Sequence, residues 1–134
     1  MTFGSISRMC MSRSGADAIF LGRPNSPTGK LISLEEGAEI AADCHRHDAW
    51  CVFDEAFIEF ADDPPSLVQL GTASPKLLVL RSLTKIYAIP GLRVGYLVGE
   101  SQIVRMLRDA IEPWSVIVAA EAVARLPHAA HKFP

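Results

Sequence analysis

Arg81-Ser82-Leu83-Thr84-Lys85-Ile86-Tyr87-Ala88-Ile89-Pro90-Gly91-Leu92-Arg93-Val94-Gly95-Tyr96 sets two hydroxyls just ahead of a lysine and places an arginine eight residues beyond that lysine. Chemistry on a phosphorylated aldehyde asks for this combination. The lysine amine can form a Schiff base, while the hydroxyls and the guanidinium can hold a phosphate through charge-assisted hydrogen bonds. The plainer reading is a strand running into a loop whose Lys85 and Arg93 face solvent, as most basic side chains do. Two segments upstream favour the first reading. Trp50-Cys51-Val52-Phe53 is a short apolar run that ends in Asp54-Glu55-Ala56-Phe57. Ala18-Ile19-Phe20-Leu21 is another, followed by Gly22-Arg23-Pro24-Asn25-Ser26-Pro27-Thr28-Gly29. Both have the form of buried strands, and open α/β sheets place their ligands at the C-terminal ends of such strands. Three strand ends are therefore expected to converge on one pocket.

Between these runs the pattern is helical. Ser33 and Glu36 form a capping-box pair ahead of a helix over 34–47, with Leu34, Ala38, Ala41 and Ala42 suited to one face. Gly37 is expected to cost that helix about 1 kcal/mol relative to alanine. Ser66 is placed to cap a turn running through Leu70, further strands are predicted over 77–80 and 94–98, and Ser101 is placed to cap a helix through Ala110. Pro113 breaks the pattern before a last helix over 114–126. The alternation predicts an α/β fold: a mostly parallel sheet flanked by helices, with a parallel crossover between at least the first two strands. Residues 18–126 form its body, between an irregular leader over 1–17 and an irregular tail over 127–134.

Composition bounds the function. The chain has 134 residues, 49% hydrophobic and 21% charged, and a net charge of −2. That is one domain of ordinary globular make-up. It has no basic stripe for nucleic acid, no apolar run of membrane-spanning length and no secretory h-region, so a cytoplasmic protein is the default. Three cysteines without framework spacing point to reduced thiols. The cluster Cys44, His45, His47 and Cys51 does not match the spacing of structural zinc sites, and no metal is expected. Gly22 to Lys30 fails as a phosphate-binding P-loop: the spacing is too long, prolines interrupt it, and Leu31 stands where Ser or Thr belongs. There is no Gly-x-Ser-x-Gly elbow.

The ordered motifs resemble the central part of the fold-type I aminotransferase superfamily, whose cofactor is pyridoxal 5′-phosphate (PLP). Asn25-Ser26-Pro27-Thr28-Gly29 matches the Asn-Asn-Pro-Thr-Gly loop of the histidinol-phosphate aminotransferase group in four of five positions. Asp54-Glu55-Ala56-Phe57 matches its Asp-Glu-Ala-aromatic segment. The stretch from Arg81 to Tyr96 and Pro113-Trp114-Ser115-Val116 look most like the threonine-phosphate decarboxylase branch, an activity of cobalamin biosynthesis. The resemblance spans roughly residues 18–123 and implies the large PLP-binding domain of such an enzyme.

It also implies roles. Lys85 would bind the cofactor aldehyde, Asp54 would pair with the pyridinium nitrogen, and Ser82, Thr84 and Arg93 would hold the phosphate. Ser26 would stand where the family carries an asparagine beside the ring hydroxyl. Glu55 would be structural. Phe57 replaces a tyrosine found in many relatives, as the decarboxylase branch also does, and Ile117 replaces an asparagine of that branch. The implied reaction is decarboxylation of threonine phosphate, with histidinol-phosphate-type transamination and a non-catalytic remnant as alternatives. A phosphorylated amino-acid substrate and a homodimeric full-length form are implied, with neither nucleic acid nor membrane as partner. An upstream phosphate loop and a C-terminal small domain are absent from the chain, so it is expected to be a central fragment with little activity alone.

Overall fold

A computed structural model of the chain describes residues 15–62 and 64–124. Four strands, β1 (Ala18–Gly22), β2 (Trp50–Asp54), β3 (Leu77–Ser82) and β4 (Gly95–Gly99), form one sheet in the order β1-β2-β3-β4. The first three are parallel and β4 runs antiparallel to β3. The expected α/β fold with a mostly parallel sheet is what forms. The helices are α1 (Leu34–Arg46), α2 (Val68–Ala73), α3 (Leu83–Ile86), α4 (Ser101–Ala110) and α5 (Val118–Ala124), with single 3-10 turns over Ile58–Phe60 and Pro90–Leu92.

The capping box at the start of α1 is complete: Glu36 N donates to Ser33 Oγ at 3.1 Å and Ser33 N donates to Glu36 Oε2 at 3.0 Å. The buried face differs from the expected one. It carries Gly37, Ile40, Ala41 and Cys44, while Leu34 and Ala42 are exposed. The helical period puts 37, 40, 41 and 44 on one stripe, and the sheet selects that stripe because Ile40 fills it. Gly37 is a packing requirement rather than a defect. A Cβ there would lie 2.8 Å from Leu67 Cδ2, in the fully buried contact between α1 and the start of α2.

The main core lies between these two helices and one face of the sheet. Strand side chains alternate between faces, so the odd-numbered residues Ile19, Leu21, Cys51, Phe53, Leu77 and Val79 all point to the helices. The even face is open at its edge, where Phe20 is 72% exposed, and covered at Val52 on the next strand. A smaller cluster of Leu83, Val94 and Ala120 ties α3 and α5 to the approach to β4.

Several boundaries move. Strand β3 runs two residues past the predicted end, and β4 starts and ends one residue later than predicted. Helix α2 starts at Val68, because Ser66 Oγ accepts from Val68 N at 3.1 Å while its own proton goes to Glu55. Ser101 is the first residue of α4 rather than its cap, which is Glu100. The last helix begins only at Val118, since Trp114 sits in the left-handed region (φ 72°) and a bulky residue there interrupts a helix. The expected leader and tail fall outside the described residues, apart from 15–17.

Cys44 and Cys51 are free, buried and hydrogen-bonded to each other. That bond pulls the Cys44 thiol below its usual pKa and, with burial, pushes Cys51 well above. His47 Nδ1 lies 2.9 Å from the Asp43 carbonyl oxygen. Among the described residues no cluster of three His, Cys, Asp or Glu side chains is arranged to hold a metal, and no helix is long and apolar enough to cross a membrane.

Candidate active site

Gly22, Asp54 and Leu80 stand side by side in the register at the C-terminal ends of β1, β2 and β3. The ladder continues one row further, through Arg23 N to Asp54 O at 2.8 Å and Glu55 N to Leu80 O at 2.9 Å. This row sorts the two adjacent carboxylates. Successive side chains point to opposite faces, so Asp54 emerges on the open face and Glu55 turns into the helix-covered one. Asp54 is exposed, and its Oδ1 accepts a hydrogen bond from Ala56 N at 2.9 Å that fixes the turn after β2. Glu55 is fully buried, the structural role expected of it.

Around Glu55 lies a charge network that sequence reasoning missed. Its Oε1 accepts from Arg23 Nη1 at 2.7 Å and from Leu67 N at 2.9 Å. Its Oε2 accepts from Ser66 Oγ at 2.5 Å and from Arg81 Nη1 at 3.4 Å. Arg23 is itself 1% exposed and donates through Nε to the Ile32 carbonyl at 2.7 Å. Arg81 also binds Ser66 Oγ and pairs with Glu59. Burial alone would lower the Arg81 pKa, but the Glu59 hydrogen bond and the charges of Glu59 and Glu55 raise it overall. The available signal was the period of two: Leu21, Phe53 and Val79 face the core, so Arg23, Glu55 and Arg81 must as well.

The remaining candidates lie around this edge. Lys85, exposed on α3, holds its Nζ 5.1 Å from the ring centroid of Phe57. Phe57 and Ser26 line a shallow depression of about 210 Å³ with Pro24, Asn25, Pro27 and Gly29. The loop carrying Ser26 is held by its own bonds, Asn25 Nδ2 to Thr28 Oγ1 at 2.8 Å and Gly29 N to Asn25 O at 2.7 Å. Ser82 Oγ and the buried Thr84 Oγ1 lie 2.8 Å apart. Arg93 follows the turn over Pro90–Leu92, and its Nη1 reaches Pro90 O at 3.4 Å rather than either hydroxyl. The backbone brings it close all the same, because Leu83 N donates to Val94 O at 3.2 Å. Gly95 makes that approach possible: a Cβ there would sit 2.6 Å from Arg81 O. A Cβ at Gly91, by contrast, would meet only open space.

These residues fit PLP, the cofactor that the sequence resemblance implies. Two hydroxyls and a guanidinium bound only weakly to its own loop form a donor set for a phosphate dianion. Asp54 is a carboxylate with no cation beside it among the described residues, as a partner for a ring N–H requires. Lys85 has no carboxylate partner among them either, so its amine is uncommitted.

The sequence profile of "Aminotransferase class I and II" matches residues 6–132. Threonine-phosphate decarboxylase of Salmonella typhimurium is 43% identical over 102 residues, covering 75% of this chain and 28% of that protein. Histidinol-phosphate aminotransferase of Akkermansia muciniphila is 33% identical over 106 residues, covering 79% of this chain and 29% of its own length. Among solved structures, a decarboxylase from Sulfurospirillum multivorans superposes with a TM-score of 0.78 at 25% identity, over 94% of this chain and 37% of that one. The chain thus spans under a third of the length of the curated relatives it matches.

Proposed function

The chain belongs to the class I and II aminotransferase family, and on that premise we propose that it forms the cofactor-binding centre of a PLP-dependent lyase acting on L-threonine O-3-phosphate. The products are carbon dioxide and aminopropanol phosphate, an intermediate of cobalamin biosynthesis. The observation that carries the reading is the contrast at the sheet edge: the buried charges are all engaged with one another, while Asp54, Lys85 and Arg93 are exposed and carry no ion pair among the described residues.

PLP supplies an electron-accepting ring that takes up the electron pair of the substrate bond being broken. The chain's own residues do the rest. Ser82 and Thr84 donate their hydroxyl protons to the cofactor phosphate, and Arg93 supplies the opposite charge. Asp54 accepts the ring N–H and keeps that nitrogen protonated. Lys85 would hold the cofactor through its amine, and that amine could carry a proton to or from the substrate. Ser26, shorter than asparagine, can reach the ring hydroxyl through a bridging water. Phe57 offers an apolar face in place of a phenol and keeps Lys85 at the rim of the depression. The functional protein is proposed to be a homodimer.

Threonine phosphate is preferred because the decarboxylase of Salmonella typhimurium, at 43% identity over 102 residues, is somewhat more similar than histidinol-phosphate aminotransferases at 33–40%. Transamination of a phosphorylated amino substrate is the second reading. The test begins with the purified chain, PLP and borohydride, followed by peptide mapping. A pyridoxyl group is expected on Lys85, and one fixed on another lysine instead would sink the assignment. Carbon dioxide release is then measured against 2-oxoglutarate-dependent amino transfer in the chain extended to family length. Transfer without carbon dioxide would reverse the ranking.

A further inference from the structure

We propose that the row Arg23–Glu55–Arg81, buried at Arg23 and Glu55 and partly buried at Arg81, is a positioning device, which holds the three strand ends of the site in one fixed relation. Each member is joined in sequence to a site segment. Arg23 opens the loop that carries Ser26, Glu55 follows Asp54, and Arg81 precedes Ser82. The row therefore spans the three strands β1 to β3 at the edge, adjacent in sequence to Asp54 and Ser82 and three residues before Ser26.

The chemistry explains why charges sit where apolar residues would pack. An apolar row in the same place would be as stable or more so, because desolvating ions costs about as much as pairing them returns. Its packing would, however, tolerate small slips between strand ends. A carboxylate that accepts from Arg23 Nη1 and Leu67 N on one oxygen, and from Ser66 Oγ and Arg81 Nη1 on the other, has one low-energy position. The arrangement is also balanced: Arg23 and Arg81 face Glu55 and Glu59, so no unpaired charge drives it apart. Positioning to within a fraction of an ångström is what a catalytic edge needs. For its functional consequence the inference rests on the reading of this edge as a cofactor site, but the row itself can be tested without cofactor.

Amide hydrogen exchange on the full chain separates positioning from general support. Glu55→Gln keeps the shape and removes the charge. Exchange is expected to rise about tenfold, the equivalent of one charge-assisted hydrogen bond, at the site-end amides of Arg23, Leu83 and the substituted residue 55. The far-end amides of Trp50 and Cys51, bonded to Asp17 O and Lys76 O, are expected to hold. Ser66→Ala, which keeps every charge and removes the hydroxyl that donates to Glu55 and accepts from Arg81 Nη1 and Val68 N, is expected to give a weaker change in the same places. It also serves if the first variant fails to fold. Equal change at both ends, or none at the site end, would overturn the proposal. With PLP as probe and borohydride fixation, labelling of Lys85 is expected to fall in both variants while labelling of the far-end Lys76 does not. Failure of the unaltered chain to label at Lys85 would count against the cofactor reading alone, with the exchange result still deciding the role of the row.

Discussion

The two ends of the sheet handle charge in opposite ways. At the far end, where β2 and β3 begin, Lys76 binds both the carboxylate and, at 2.7 Å, the carbonyl oxygen of Asp48, in a pair whose acid is almost wholly in solvent. At the site end Arg23 and Glu55 are buried and paired, Arg81 is partly buried and pairs with Glu55 and with the exposed Glu59, and Asp54, Lys85 and Arg93 are left without ionic partners among the described residues. A surface with no task can pair its ions or leave them to water at little difference in free energy. Burying paired ions directly beneath unpaired ones is costlier, and a fold keeps that arrangement where the unpaired groups are wanted for a ligand. The contrast between the ends points to the same edge as the motifs do, without using them.

The largest effect should come from breaking the buried row. Glu55→Leu leaves the Arg23 guanidinium in a dry environment with one partner lost, a mechanism that typically costs about 3–5 kcal/mol. Urea unfolding measures it. The double variant Arg23→Met/Glu55→Leu should be less destabilised than Glu55→Leu, because the stranded charge is gone. If the double variant is worse by the sum of both singles, the two residues act independently and the row is not a unit.

One residue earlier in β2 the expectation reverses. Asp54→Asn keeps the Oδ1 that accepts from Ala56 N, and the group is exposed, so unfolding should shift by no more than about 0.5 kcal/mol. Its cost should appear in PLP affinity, as a loss of about tenfold or more, the worth of a hydrogen bond to a charged group. An absorbance titration reads this directly. A destabilised protein with unchanged PLP affinity would mean that Asp54 belongs with Glu55 as a structural group.

How much of this could be seen in the sequence follows from which interactions are local. The strands themselves were legible, to within one or two residues at their ends, because short apolar runs need no knowledge of neighbours, and the α1 capping box was legible because both partners lie within one turn. Glu55 is buried, in keeping with the structural reading of it. Arg23 was not recognised, since a basic residue beside proline is ordinarily taken to be solvated, and only the register with Glu55 shows otherwise. Gly37 was judged on helix propensity, whereas its value depends on Leu67, thirty residues away. The late start of α5 depends on the backbone at Trp114, where no glycine or proline signals a left-handed residue.

The smallest effect belongs to the far end and has a definite sign. The Lys76 hydrogen bond and charge hold the Asp48 pKa below its ordinary 3.8 in the folded chain. A carboxylate with a depressed folded pKa contributes stability that is fully present above its unfolded value and is lost as pH falls through the folded one. The contribution should therefore persist at neutral pH and fade below about pH 4, the ordinary carboxylate range. Asp48→Asn tests this without disturbing the turn, because position 48 has a left-handed backbone (φ 60°) and asparagine tolerates that region as well as aspartate does. The unfolding midpoints of the two proteins should differ slightly at neutral pH, converge as the solution is acidified, and lie closer together in high salt, where exposed pairs are screened. A difference that grows on acidification would show that Asp48 is not stabilised by Lys76, and the two ends of the sheet would then differ less than their geometry implies.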